Sequence, residues 1–391
     1  MDKKIAYFPN LNGIRFILAC LVLLHHVAVV LYANGFSNLY LKVNALKAFG
    51  PVAVSLFFCL SGFLITYLLL QENKITGTIS IKSFYKKRIK RIFPLYYLIV
   101  IIHLFILPHT ALISLDEKLT LGNIGGYAYS TISISNFWIN SLYLSLLPQF
   151  ALALMVASGN NYVPAGHVWS IGVEEIFYIL YPILLKKNTH IFKKFIFSLI
   201  AIYYFIAISI FIIIQVSKNT SIENSSFMRL LNASIIIVIY NRVVCMFIGA
   251  IGAYLFIHKH KYLKYFTNQY FFIGSLAGIL FLFSIGARVP FLTHEVYCIF
   301  FLSMLLFLIK DNKSYFLENK YVSYFGKISY GIYMYQMIAI LIVVYVVKKN
   351  DINIFFVYPL SFILTIFMSF ISYEYFEKKI LFYNKQSENS I

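Results

Sequence analysis

The sequence predicts an all-α fold, a polytopic integral membrane bundle of about ten transmembrane helices with both termini cytoplasmic. Three observations predict it. Of 391 residues, 61% are hydrophobic and only 12% are charged, whereas soluble domains carry about 25% charged residues. Mean hydropathy is +0.79, and apolar runs of the 17–25 residues that a helical span requires recur along the chain. The charge is also unevenly spread. With 33 Lys+Arg against 14 Asp+Glu the net charge is +19, and most of the basic residues fall in alternate connections. That pattern sets orientation by the positive-inside rule, with anionic lipid as the partner. No zinc-finger, RRM or helix-turn-helix pattern points to nucleic acid.

The elements follow in order. The first span, 14–33, carries Arg15 at its edge and His25-His26 within it. It lacks a small-residue cleavage site, so it is not read as a cleavable signal. Spans at 51–71 and 92–108 enclose the basic run Lys86-Lys87-Arg88-Ile89-Lys90-Arg91. Residues 109–167 read as a long extracytoplasmic or re-entrant loop. Within it 137–157 is apolar but interrupted by Asn140, Pro148 and Gln149. A full span there would move Lys186, Lys187, Lys193 and Lys194 to the other side and cost the charge bias. The next span, 168–186, carries Glu174 and Glu175. Further spans are expected at 195–215, 234–257 (with Arg242 inside it), 270–286, 294–310, 328–347 and 356–376. The whole chain, 1–391, reads as one transmembrane domain with no tandem repeat and no soluble domain at either end. Cys20, Cys59, Cys245 and Cys298 sit in apolar runs without CxxC spacing, which reads as buried thiols rather than a disulfide set or metal site.

Ionisable groups inside spans are costly and are functional candidates by default. Arg15 and His26 are eleven residues apart, three helical turns plus about 20° with a rise of about 16 Å, so they share a face that His25 does not. Ser170, Glu174 and Tyr178 fall at i, i+4 and i+8 and line one polar stripe, with Glu175 about 100° away. Arg242 is expected to pair with a carboxylate. Arg88 and Arg91, three apart, lie on one helix face. In a basic run they anchor topology and touch lipid, and Arg's fixed fork of donors also suits phosphate oxygens. His167, just before Trp169, is expected at the outer mouth. For His103, His190, His258, His260 and His294 no partner is arguable from sequence.

Several ordered motifs together resemble the acyltransferase-3 family of bacterial membrane enzymes. Asn12-Gly13-Ile14-Arg15 running into His25-His26 matches its Arg, ten residues, His signature. Phe57-Phe58-Cys59-Leu60-Ser61-Gly62-Phe63 resembles its Ser-Gly-Phe motif, and Arg88-Ile89-Lys90-Arg91 its Arg-x-x-Arg. Trp169-Ser170-Ile171-Gly172-Val173-Glu174-Glu175 with Tyr178 resembles its Trp-Ser-Leu-x-x-Glu-x-x-x-Tyr. Ser329-Tyr330-Gly331-Ile332-Tyr333 and Glu377-Lys378 echo its last two helices. Three positions depart: Ile171 for Leu, Gln336 where many members have His, and Lys379 where Pro commonly follows. No catalytic role is carried to Gln336.

The resemblance implies acyl transfer, most often of acetyl from acetyl-CoA, to a hydroxyl of an envelope or exported glycan in the bacterial plasma (inner) membrane. It implies His26, Arg15 and Glu174 as catalytic residues and Arg88, Arg91 and Arg15 as the acyl-CoA contacts. Ser170, Tyr178, His167 and Trp169 then touch the acceptor. Acyl-CoA is a co-substrate, with no permanently bound cofactor and no metal. The other partners are a glycan or glycolipid acceptor, membrane lipid, and glycan synthesis or export proteins. A rival from another class is a proton-coupled secondary transporter exporting a glycan precursor. It should show matched broken helices in its two halves, and the sequence shows no such match.

Overall fold

The computed structural model describes residues 8, 10–110, 112, 137–157, 165–217, 231, 234, 235, 237, 238, 241–286, 292–311 and 315–381. Most of the expected 109–167 loop and the end of the chain therefore lie outside the described residues. Apart from short turns and connections those described are helical, with no strand among them. In chain order the helices are α1 (Asn10–Ala33), α2 (Leu39–Lys42), α3 (Asn44–Thr76), α4 (Ile81–Ile101), α5 (Phe137–Leu144), α6 (Pro148–Ala157), α7 (Trp169–Asn188) and α8 (Phe192–Ser217). They continue with α9 (Val243–Ile257), α10 (Leu263–Phe266), α11 (Gln269–Ile285), α12 (Thr293–Asp311), α13 (Tyr315–Glu318), α14 (Lys320–Lys327), α15 (Ser329–Lys349) and α16 (Val357–Ser372).

Seven helical runs among the described residues are long and apolar enough to cross a membrane. One of them joins α7 and α8 through a 3-10 turn at Thr189–Ile191, where the sequence reads two spans divided by lysines. The apolar helices α9 and α11 are shorter than a full span. In helices apolar all round, the face with most protein contact marks the centre of the bundle. That centre is α1, α3 and α15, which carry the most buried apolar stretches. By contrast Phe205 on α8, Phe281 on α11 and Ile363 on α16 are exposed, as lipid-facing residues would be.

Between α3 and α9 the backbones touch. A Cβ on Gly62 would overlap the Met246 carbonyl, and one on Gly249 would overlap that of Cys59. Lipid tails are as apolar as leucine, so hydrophobicity does not drive helices together there. Close van der Waals approach through small residues does.

Two local features interrupt the helices, the first of them against the sequence expectation of a continuous span over 234–257. Arg242 does not lie inside a continuous helix over 234–257. It sits in the left-handed region (φ 43°), and α9 begins after it. Its Nη1 donates to the Pro51 carbonyl at 2.6 Å and to Ser55 Oγ at 3.3 Å, and its guanidinium lies 5.3 Å over the Trp169 ring. These contacts hold a conformation that a non-glycine residue rarely adopts.

The second feature is the apolar segment 137–157, which forms two short helices. Pro148 opens α6, the position where its missing N–H costs nothing. In the turn before it Leu146 takes a positive φ of 61°. Tyr96 Oη donates to the Tyr143 carbonyl at 2.8 Å and Tyr97 Oη to that of Leu144 at 3.1 Å. The end of α5 is thereby pinned about midway along the run that α4 forms with its π-turn (Ile102–Ile106) and 3-10 turn (Leu107–His109).

Candidate active site

A cavity of about 230 Å³ opens among α1, α3, α4, α7 and α15, lined by Arg15, Ser61, Arg88, Arg91, Ser170, Glu174, Tyr178, Tyr330 and Tyr333 with apolar residues between them. The i, i+4, i+8 stripe on α7 therefore faces one space. The i, i+3 pair on α4 meets it there, and Arg15 arrives from α1.

Glu174 is held tightly. Ser61 Oγ donates to one carboxylate oxygen at 2.8 Å and Tyr178 Oη to the other at 2.9 Å. Arg88 stacks its guanidinium 5.1 Å from the Tyr178 ring centroid and 5.4 Å from that of Phe84, an attraction to the negative face of the ring. Arg15 Nη1 donates to Asn12 Oδ1 at 3.3 Å. Among the described residues the carboxylate–cation pair within 4 Å is Glu374–Lys378, away from this cavity. Arg15, Arg88 and Arg91 thus bring three guanidiniums to one space with no ion-pair partner within 4 Å among the described residues, facing the Glu174 carboxylate already engaged by two hydroxyls. Such a lining favours an anionic guest.

Farther along, Ser170 Oγ lies 2.7 Å from Tyr333 Oη. The Tyr333 hydroxyl itself donates to the His167 carbonyl, so Ser170 is the donor of the pair. One turn beyond Tyr333 on α15, Gln336 Nε2 donates to the Tyr333 carbonyl at 2.9 Å. That bond fixes the amide, and Gln336 Oε1 then faces His26 Nδ1 at 3.2 Å. An amide oxygen only accepts, so Nδ1 carries the proton and Nε2 the basic lone pair. His26 is buried and does not line the cavity; it sits beyond the Ser170–Tyr333 end. Its neighbour His25 turns away, its Nδ1 2.7 Å from the Leu46 carbonyl and its ring against Gly50.

His167 is not at an outer mouth. It is 1% exposed, with Nε2 3.2 Å from the Met334 carbonyl and its ring centroid 5.4 Å from that of His103. The 3-10 turn Gly166–Val168 packs it between α7 and α15. Trp169 likewise misses the cavity, because its faces are taken by Arg242 and, edge-on at 6.2 Å, by Phe58. Glu175 is buried outside the cavity lining, and its Oε1 has no hydrogen-bond partner among the described residues.

Sequence reasoning gave no role to Ser61, Tyr330 and Tyr333, although all three lie in quoted motifs. Ser61 is a polar residue in a strongly apolar run, which is a readable signal. Tyr330 and Tyr333 are lost among 32 tyrosines. His103, which offered no arguable partner, is fully buried on the π-turn beside His167. Among the described residues no three His, Cys, Asp or Glu side chains are grouped to hold a metal.

The sequence model of the family described as an acyltransferase domain matches residues 8–374. The O-acetyltransferase OatA of Staphylococcus aureus, from strain NCTC 8325 / PS 47 and equally from strain COL, is 26% identical over 387 residues, covering 96% of this chain and 57% of the relative. Another Staphylococcus aureus protein, from strain MRSA252 and provisionally named an O-acetyltransferase, is 29% identical over 192 residues, covering 49% of this chain and 27% of its own length. The chain thus spans less than two thirds of the curated relatives it matches. No solved structure matches it.

Proposed function

The chain belongs to the acyltransferase-3 family, and from that premise we propose that it is an integral membrane O-acyltransferase, moving an acetyl group from cytoplasmic acetyl-CoA to a hydroxyl of a cell-envelope or exported polysaccharide in a bacterial plasma membrane. The observation that carries this reading is the convergence of Arg15, Arg88 and Arg91 on the cavity that also holds Glu174, Tyr178 and Ser170. Guanidinium forks match the phosphate oxygens of CoA. In the reaction, an acceptor hydroxyl oxygen attacks the thioester carbonyl while His26 Nε2 takes its proton. The C–O bond forms, the C–S bond breaks, and the thiolate takes a proton to leave as free CoA. Ser170 and Tyr333 lie between the arginines and His26, where the acyl carbon would pass.

The proposal is tested by incubating purified protein with radiolabelled acetyl-CoA and envelope glycans. Labelled glycan with stoichiometric free CoA is expected. Movement of glycan without thioester loss would replace this reading with the transporter.

Orientation is part of the proposal. Both termini are cytoplasmic and α5–α6 dips into the membrane and returns, a reading supported by the bonds from Tyr96 and Tyr97 midway along the α4 run. Non-helical backbone at that depth is tolerated when protein surrounds it. Cysteines introduced at Asn73 and Asn188 should be protected from an impermeant thiol reagent in intact cells, and one at Asn350 should react. Labelling at Asn188 from outside would mean that 137–157 crosses the membrane.

The two adjacent carboxylates should separate. Glu174→Gln exchanges an acceptor of two hydroxyl bonds for an amide inside the cavity, whereas Glu175→Gln changes a group outside the lining. Turnover should fall at least tenfold further in the first than in the second, measured on folded protein. Equal losses would mean the wrong face of α7 has been assigned.

A further inference from the structure

His26, His167 and His103 are buried, and none of them lines the arginine cavity. One turn of α15 ties the first two together. Gln336 Oε1 accepts from His26 Nδ1, and the Met334 carbonyl accepts from His167 Nε2. The His167 ring centroid is in turn 5.4 Å from that of His103. His103 lies on the π-turn of α4, six residues before the exposed His109 that ends the run. We propose that His167 and His103 carry the proton taken by His26 to the outer end of α4, an inference that rests on the acyl-transfer reading above.

One bond fixes each tautomer. His103 Nδ1 lies 2.9 Å from the Ile99 carbonyl, so Nδ1 carries the hydrogen and Nε2 the lone pair. His167 is the reverse: its Nε2 lies 3.2 Å from the Met334 carbonyl, so Nδ1 has the lone pair. Both lone-pair nitrogens are sealed from solvent, and neither has a hydrogen-bond partner among the described residues. Two acceptors cannot bond each other, and a buried acceptor left unpaired is unfavourable. A proton arriving on either ring makes it a donor to the other, which gives a charge-assisted bond. Nothing beside the pair would trap that proton. Among the described residues the charges that act on His167 are those of His103 and His26 when protonated, and no charged side chain acts on His103. Tyr333, with its ring centroid 6.0 Å from that of His167, already donates its hydroxyl to the His167 carbonyl. The helix α6 packs on the 3-10 turn and contains no titratable side chain. A proton on the pair is therefore in transit.

The step balances. As the acceptor oxygen forms its C–O bond, its proton passes to His26 Nε2, then to His167 Nδ1 and to His103 Nε2, and its release outside returns all three rings to the neutral form. The thiolate left by C–S cleavage takes its proton from cytoplasmic water. Each turnover then takes up one proton on the cytoplasmic side and releases one on the other.

His103→Asn and His167→Gln provide the test, because each keeps an N–H where the native ring donates and loses the lone-pair nitrogen. The full chain is placed in liposomes that enclose envelope glycan from the expressing cells and a pH-sensitive dye, and acetyl-CoA is added outside. Molecules with their cytoplasmic face outward then transfer acetyl to the enclosed glycan. Wild type should acidify the lumen by one proton for each acetyl group transferred. In each variant turnover should fall about 10²-fold, the lower end of what a proton-transfer group contributes. The half-saturating acetyl-CoA, the half-saturating glycan and the unfolding temperature should stay unchanged. Acetyl transfer by wild type without acidification, variants with wild-type turnover, or turnover lost together with a lowered unfolding temperature would each overturn the path. Wild-type protein that consumes no acetyl-CoA would instead remove the acyl-transfer reading, and this path with it.

Discussion

His26→Ala is expected to lose about 10²–10⁴-fold of acyl transfer, the usual cost of removing a general base, with normal expression and membrane insertion. The tautomer is the reason. Gln336 is locked by its bond to the Tyr333 carbonyl and presents Oε1 to His26 Nδ1, which leaves Nε2 as the nitrogen able to take a proton. His25→Ala should cost far less, chiefly through packing, since its ring is committed to Gly50 and the Leu46 carbonyl. Gln336→Leu should fall between them. It keeps the imidazole but releases its orientation, so turnover drops while the half-saturating acyl-CoA is unchanged. The measurement is transfer by purified single variants, normalised to folded protein. An inactive His25 variant beside an active His26 variant would overturn both the helix-face argument and the assigned base.

Arg91→Ala and Arg88→Ala should each raise the half-saturating acyl-CoA by about 10–100-fold. A hydrogen bond to a charged group contributes about 1.5–3 kcal/mol, and each 1.4 kcal/mol is about tenfold. Turnover separates the two. Arg88 also stacks on Tyr178, which in turn donates to Glu174, so Arg88→Ala should lower maximal turnover as well. No stacking contact ties Arg91 to that carboxylate among the described residues, and its replacement should act mainly on acyl-CoA binding. Lys at either position should rescue only in part, because an ammonium supplies charge without the planar fork. A folded double variant with unaltered acyl-CoA dependence would return both residues to the role of topology anchors.

Several of these groups were readable in the chain itself. The Ser170, Glu174, Tyr178 stripe and the Arg88, Arg91 pair are spacings within single helices, and 3.6 residues per turn fixes which side chains share a face. Apolar run lengths likewise give the all-α membrane class, since a bilayer leaves an unclosed chain no other way to satisfy its backbone. The break at Arg242 was not readable, because a left-handed residue there depends on Pro51, Ser55 and Trp169 from two other helices. Nor was the burial of His167, which follows from how its 3-10 turn meets α15.

Hydropathy and helical periodicity thus fix the helices, their membrane character and the faces on which their polar groups lie. Which faces meet emerges only on packing: Arg15 of α1 joins the α4 arginines, Ser61 of α3 holds Glu174, and Gln336 of α15 sets the tautomer of His26. Periodicity is a local property of one helix and says nothing of its neighbours. In lipid, hydropathy does not distinguish one apolar neighbour from another, so the choice of neighbour rests on small residues such as Gly62 and Gly249 and on hydrogen bonds between residues far apart in the chain.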